Sequence, residues 1–230
     1  MRSMSNAVIN SDTQLQESHL FSIDGSFPTP MSLRRFILSH TSSLGRRLLS
    51  NRDLSGNPKQ VLSPIRYAVE RDRACVHVLL WGTNLQVALI LEALTDSSLG
   101  FQHTAMVMDL RTSQDVRCYH STMAIKNRFN RYHVSFPQQC ENIIQRCILR
   151  QAELLDLPLP NRGLLSCLGV HIMSMSSVEQ RSQNRVILKK FRAHYVLDIK
   201  FSMAFKLDGH WAVGSLVNHG YGCCNECTKP

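Results

Sequence analysis

The clearest periodic signal in the chain is an alternation from Phe191 to Lys206. Phe191, Ala193, Tyr195, Leu197, Ile199, Phe201, Met203 and Phe205 fall on one face, and Arg192, His194, Asp198, Lys200, Ser202 and Lys206 on the other. A period of two predicts a half-buried strand, bent or bulged on account of its length. Leu207-Asp208-Gly209-His210 then predicts a hairpin turn, with Trp211 to Val217 returning. Gly100 to Asp109, G-F-Q-H-T-A-M-V-M-D, reads as a central strand. Ala105 and Val107 share one face and Met106 and Met108 the other, so both sides can be covered, and the strand closes on an acid. Ala74 to Trp81, Asp115 to Ser121, Asn130 to Phe136 (stopped by Pro137) and Leu164 to Met173 also read as extended. Leu85 to Leu94 fits a buried strand or a helix. Its place between two extended segments favours a strand over Leu85 to Leu91.

Helical spacing shows in two places. Leu33, Phe36, Ile37, Leu44, Leu48 and Leu49 recur at near-helical intervals, flanked by Arg34, Arg35, Arg46 and Arg47 and interrupted at His40 to Ser43. Gln138 to Leu157 carries a stripe of Ile143, Ile144, Cys147, Ile148, Leu154 and Leu155, with a strand at Ile143 to Leu149 as the alternative. With about seven or eight extended segments and no strand-helix-strand rhythm, the expected fold is mainly β. It is an antiparallel sandwich or jelly-roll-like domain with an N-terminal basic amphipathic helix and flexible ends. Residues 1–30 read as a loose polar arm, 31–63 as the basic segment and linker, 64–217 as the β-rich core and 218–230 as a cysteine-rich flexible tail.

Charge adds a partner class to this picture. Lys and Arg number 26 against 17 Asp and Glu, a formal charge of +9 over 230 residues, which favours an anionic partner such as nucleic acid or an acidic membrane surface. Arg111, Arg117, Lys126, Arg128 and Arg131 crowd the region after Asp109, and Lys189, Lys190, Arg192 and Lys200 crowd the last long strand. Tyr119, Phe129, Tyr132 and Phe191 are interleaved with them. The alternation turns several of these rings inward, so contact with a single-stranded RNA or DNA backbone, without base preference, is the stronger expectation. Arg34, Arg35, Arg46 and Arg47 could lie on an anionic membrane, contact nucleic acid, or stay solvated on a packed helix.

Catalytic chemistry has less support. Cys75, Cys118 and Cys167 lie near His77, His120 and His171, but none sits in a nucleophile elbow. Phosphate-binding, dinucleotide and H-E-x-x-H motifs are absent, so no enzyme activity and no cofactor are expected. No signal-peptide pattern precedes the eight cysteines, which reads as reduced thiols. His219, Cys223, Cys224 and Cys227 approach a zinc quartet. Adjacent Cys223 and Cys224 fit one tetrahedral ion poorly, so the expectation is no metal, and free or palmitoylated thiols.

Gly100 to Arg111, G-F-Q-H-T-A-M-V-M-D-L-R, resembles the core of the plant-virus movement proteins of the 30-kilodalton superfamily, a glycine-led strand ending in an acid and followed by a basic residue. Gly100 and Asp109 are expected to be structural, Asp109 at the strand exit accepting from nearby backbone N–H groups or pairing with Arg111 or Arg117, and the resemblance implies an antiparallel β domain. It also implies sequence-independent binding of single strands, self-association, and work at plasmodesmata with host proteins and peripheral membrane in the host cytoplasm. A viral matrix or capsid-like protein and a host-factor-binding silencing suppressor are the competing classes.

Overall fold

A computed structural model describes residues 17–52, 55, 63–69, 74–79, 84–126, 135–159, 165–166, 169–177 and 194–227. Two four-stranded antiparallel sheets follow one another along the chain, each with helical cover. The first is built from β1 (Glu17–Ile23), α1 (Pro30–Ser39), α2 (Ser43–Leu49), β2 (Ile65–Val69), β3 (Ala74–Leu79), α3 (Asn84–Thr95) and β4 (Gln102–Val107), in the order β2-β3-β1-β4. That is the ferredoxin-like split arrangement, in which each strand-helix-strand unit leaves a gap that a third strand fills. The second contains β5 (Asp109–Lys126), α4 (Phe136–Leu154), β6 (Gly169–Ser177), β7 (His194–Asp208) and β8 (Asn225–Glu226), in the order β6-β7-β5-β8. Strand for strand this is the same order. Only a short 3-10 turn, Val217–His219, stands where the first half has α3.

The expected sandwich or jelly roll is therefore corrected to a mixed α/β architecture, because helices supply the second layer that facing strands would supply in a sandwich. Leu85 to Leu91 belongs to α3. Val87, Ile90 and Leu94 are its buried side, at helical spacing, and its Leu, Ala and Glu content suits a helix. Of the expected Gln138 to Leu157 helix, the part up to Leu154 is the body of α4, where Cys140, Ile144, Ile148 and Ala152 are buried. Pro137 starts that helix rather than ending a strand, since a first-turn proline gives up only an N–H that has no helical acceptor. Residues 130–134 of the expected strand lie outside the described residues.

Gly100 to Asp109 is not a central strand. β4 is the edge of the first sheet, with Gln102 to Ala105 exposed. Gly100 turns into it with φ +64, and Asp109 opens β5. The central position goes to β1, which lies inside the segment read as a polar arm. Ser18↔Leu79 to Ile23↔Ala74 pair on one side and Glu17↔Val107 to Ser22↔Gln102 on the other.

Each half has its own core. Phe21, Leu33, Ile37, Leu49, Ile65, Tyr67, Val76 and Ile90 fill the first, and Tyr119, Met123, Ile144, Ile148, Leu197, Phe201, Phe205 and Trp211 the second. The halves are joined by buried polar contacts. Arg66 of β2 donates through Nη1 to the His210 carbonyl and through Nη2 to Gln151 Oε1 of α4 at 2.5 Å. Gln151 Nε2 in turn donates to the carbonyls of Cys147 (2.7 Å) and Ala212 (2.6 Å), and its Oε1 accepts from Ala212 N at 3.0 Å. The ring of buried His77 meets that of His210 edge-on, centroids 3.8 Å apart.

Candidate nucleic-acid interface

Among the described residues, two surfaces set exposed basic side chains beside histidines. The first is the α1–α2 corner. Thr29 caps α1, its hydroxyl accepting from Ser32 N at 3.1 Å while Pro30 takes the first turn. The helix stops at His40, whose N–H bonds the Ile37 carbonyl. His40 Nδ1 lies 2.8 Å from the Phe36 carbonyl and the two rings are 4.4 Å apart. A carbonyl only accepts, so Nδ1 carries the hydrogen and the neutral ring presents its Nε2 lone pair. His40 is exposed, as are Arg35, Arg46 and Arg47. Arg46 Nε donates to the Leu38 carbonyl at 2.9 Å, binding α2 back onto the end of α1. Beside this corner runs a groove of about 220 Å³ between the α1–α2 turn and α3, lined by His40, Ser42, Leu44, Glu92 and Asp96.

The second surface is the face of the second sheet turned away from α4. Antiparallel register sets His120 opposite Lys200 and Lys200 opposite His171, with Asn225 of β8 opposite His120 on the other side. Successive partners in such a ladder lie about 5 Å apart, so two imidazoles flank one ammonium in a cross-strand row. In the neighbouring row Asp198 accepts from Thr122 Oγ1 (2.8 Å) and Ser174 Oγ (2.5 Å).

The residues expected from sequence are dispersed by this fold. Arg34 is half-buried, its guanidinium 5.9 Å from the centre of the Tyr67 ring, so it is not a free surface cation. Burial raises the Tyr67 hydroxyl pKa, opposed by Arg34, and that hydroxyl donates to the Leu49 carbonyl at 2.9 Å. Arg111 is exposed and paired with Asp109, whose Oδ1 also accepts from Leu110 N at 2.7 Å. Arg117 pairs with Glu226 at 3.0 Å, and Lys126 is the exposed last residue of β5. Arg128, Arg131, Lys189, Lys190 and Arg192, with Phe129, Tyr132 and Phe191, lie outside the described residues. Tyr119, read as a ring for stacking on bases, is buried. Its hydroxyl donates to the Phe205 carbonyl and accepts from Leu207 N. In the tail, His219 Nδ1 meets Met31 Sδ at 2.8 Å and Cys227 meets Cys118, while Cys223 and Cys224 are half-buried. Sequence reading gave His40 no chemical role and weighed His120 and His171 only beside cysteines, never as a row with Lys200. The one sat in an apparent helix break, and the other exists only once three separated strands are in register.

No protein-family model matches the chain, and no curated protein matches it. Solved structures do. A structure described as "Csf5, CRISPR-Cas type IV Cas6 crRNA endonuclease" superposes with a TM-score of 0.61 at 15% identity, covering 92% of this chain and all of that one. A Cas6b structure follows at 0.59 and 11%, covering 92% and 99%. A second, described as a CRISPR RNA processing endoribonuclease, reaches 0.52 at 10%, covering 92% and 100%. The fold is thus the Cas6 fold, along the whole length of those structures, and it overturns the resemblance to movement proteins. The glycine and acid that carried it mark a turn and the boundary between two sheets. The same fold match counts against the expectations of a matrix or suppressor protein, of sequence-independent carriage of single strands, of membrane, host-protein and plasmodesmal partners, of a host-cell location, and of a chain without enzymatic activity. Among the described residues no helix is long and apolar enough to cross a membrane.

Proposed function

We propose that this protein is an endoribonuclease of the Cas6 type, cutting a CRISPR-derived precursor RNA, with His40 as its proton-transferring residue. The observation that carries the reading is the placement of His40. On a fold shared with RNA-processing endonucleases, an exposed imidazole is held by its Nδ1–H at the end of α1, with Nε2 outward and Arg35, Arg46 and Arg47 on the same pair of helices. RNA carries its own nucleophile in the ribose 2′-hydroxyl, so a positioned base need only take that proton. The 2′-oxygen then bonds to phosphorus as the bond to the 5′-oxygen breaks, and the leaving oxygen takes up a proton. The arginines hold the phosphates and oppose the charge that develops on them.

His40→Ala is expected to slow cleavage of an end-labelled precursor RNA by about 10²- to 10⁴-fold, the usual contribution of a general acid–base group, while leaving RNA affinity nearly unchanged. A 2′-deoxy substitution at the cut nucleotide should abolish cleavage by the unaltered protein. Full activity in His40→Ala would remove His40 from the mechanism. RNA binding with no cutting of any precursor would reduce the proposal to a binding protein.

A further inference from the structure

The end of the described chain is held to the second sheet by a two-residue strand. Glu226 pairs with Tyr119 and Asn225 with His120, which sets Cys227 opposite Cys118. Cys227 N donates to the Cys118 carbonyl at 2.8 Å, and the two sulfurs are 3.2 Å apart. Both side chains are half-buried, so a small reagent can reach them. Directly opposed residues of an antiparallel pair have Cα atoms about 4.5–5.5 Å apart, within the span a disulfide bridges. Forming the bond requires the sulfurs to close by only about 1 Å, a rotation of the side chains.

We infer that Cys118 and Cys227 form a dithiol site for reversible oxidation, in which a disulfide fastens β8 to β5. The oxidant is a low-molecular-weight disulfide such as oxidised glutathione. One cysteine thiolate attacks it, forming a mixed disulfide and releasing one glutathione thiol. The neighbouring thiolate attacks the protein-bound sulfur of that mixed disulfide and releases the second. Two protein thiols lose two protons and two electrons, and one small disulfide becomes two thiols. Burial and the Cys118 contact raise the Cys227 thiol above its usual range, while Lys200 works in the other direction, so Cys227 is held toward the thiol form until an oxidant arrives. Cys140 and Cys147, whose pKa values burial also raises, lie within the second core or against it and are poor competitors.

The test uses the full chain, treated with oxidised glutathione, alkylated, and digested without reduction. The expected product is one peptide pair linked through Cys118 and Cys227, two hydrogens lighter than the separate thiol peptides, with no retained glutathione. It should form equally in a Cys223→Ser, Cys224→Ser variant and be lost in Cys227→Ser. The oxidised chain should also resist proteolysis after residue 222 longer than the reduced chain. Stable glutathione adducts on Cys118 or Cys227 without the link, or linkage of either to Cys223 or Cys224 instead, would overturn the inference. The peptide map of the unaltered chain decides the matter even if a variant fails to fold.

Discussion

At the scale of single residues, burial makes the strongest demands where the two halves meet. Gln151 satisfies Arg66, Ala212 and the Cys147 carbonyl at once, and Arg66 is so enclosed that its guanidinium pKa is pulled down to about 10. Gln151→Ala should therefore cost about 3 kcal/mol or more, measured by urea denaturation, because it leaves a buried cation short of an acceptor. Gln151→Glu would keep that acceptor. His77 and His210 carry the opposite sensitivity. Burial, the like charge of His210 and nearby Arg66 lower the His77 pKa well below its ordinary value, and burial followed by Arg66 brings His210 to about 4. Both rings are neutral in the fold but take up protons near pH 6.5 when unfolded. The unfolded chain thus binds more protons below that point. Stability from this pair is complete above about pH 6.5 and drains away as pH falls; His210, at about 4 in the fold, accounts for on the order of 2 kcal/mol of that loss at pH 5, and His77 adds to it in the same direction. Denaturant midpoints at pH 7.5 and 5 measure it. A flat profile in His77→Phe, His210→Asn would assign it to these rings, and an equal slope in that variant would not.

Among elements, those with a strong internal period were readable without the structure. The described part of the alternation, from His194, is β7, Ala74 to Trp81 contains β3, and the apolar stripe after Gln138 became α4. β1 was hidden because it alternates in a polar guise. Phe21 and Ile23 face the core, Ser18 is buried opposite them, and no run of apolar residues announces the strand. α3 was misread because Leu85 to Leu91, L-Q-V-A-L-I-L, is apolar on more than one side, which blurs the period that separates helix from strand. The candidate site was the least legible part. Nothing in a lone His40 tells that its Nδ1 reaches the Phe36 carbonyl, and the cationic row on the second sheet depends on pairing between residues far apart in the chain. The return segment after Trp211 is equally non-local. Gly222 has φ +85, and a Cβ there would lie 2.0 Å from the Val213 carbonyl oxygen, against which the chain closes through Val213 N to the Gly222 carbonyl. Gly222→Ala should lower stability by at least about 2 kcal/mol, seen as a fall in melting temperature with loss of the β8 contacts. A variant melting like the parent would contradict the close approach.

For the whole molecule, the repeated strand order means that each half could be expected to unfold alone, yet the second lacks a helix where the first has α3 and leans on its neighbour through His210 and the Val217–His219 turn. Calorimetry should show one transition for the intact protein and two for Arg66→Ala, since that change removes the polar tie between two separate cores. A single transition in both would mean that the apolar contacts around the turn suffice. The covalent tie is shorter still. Val107 ends β4, Asp109 begins β5, and Met108 alone lies between them, buried and accepting His210 N at Sδ. An edge strand of one sheet thus runs with a single intervening residue into an inner strand of the next, so the junction has almost no slack in which to bend or swivel. On the proposed reading this makes the molecule a fixed calliper. If RNA held by Arg35, Arg46 and Arg47 and cut at His40 also reaches the His120–Lys200–His171 row of the second half, the span between row and cut is one the protein cannot adjust, and every product should carry the same number of nucleotides between them.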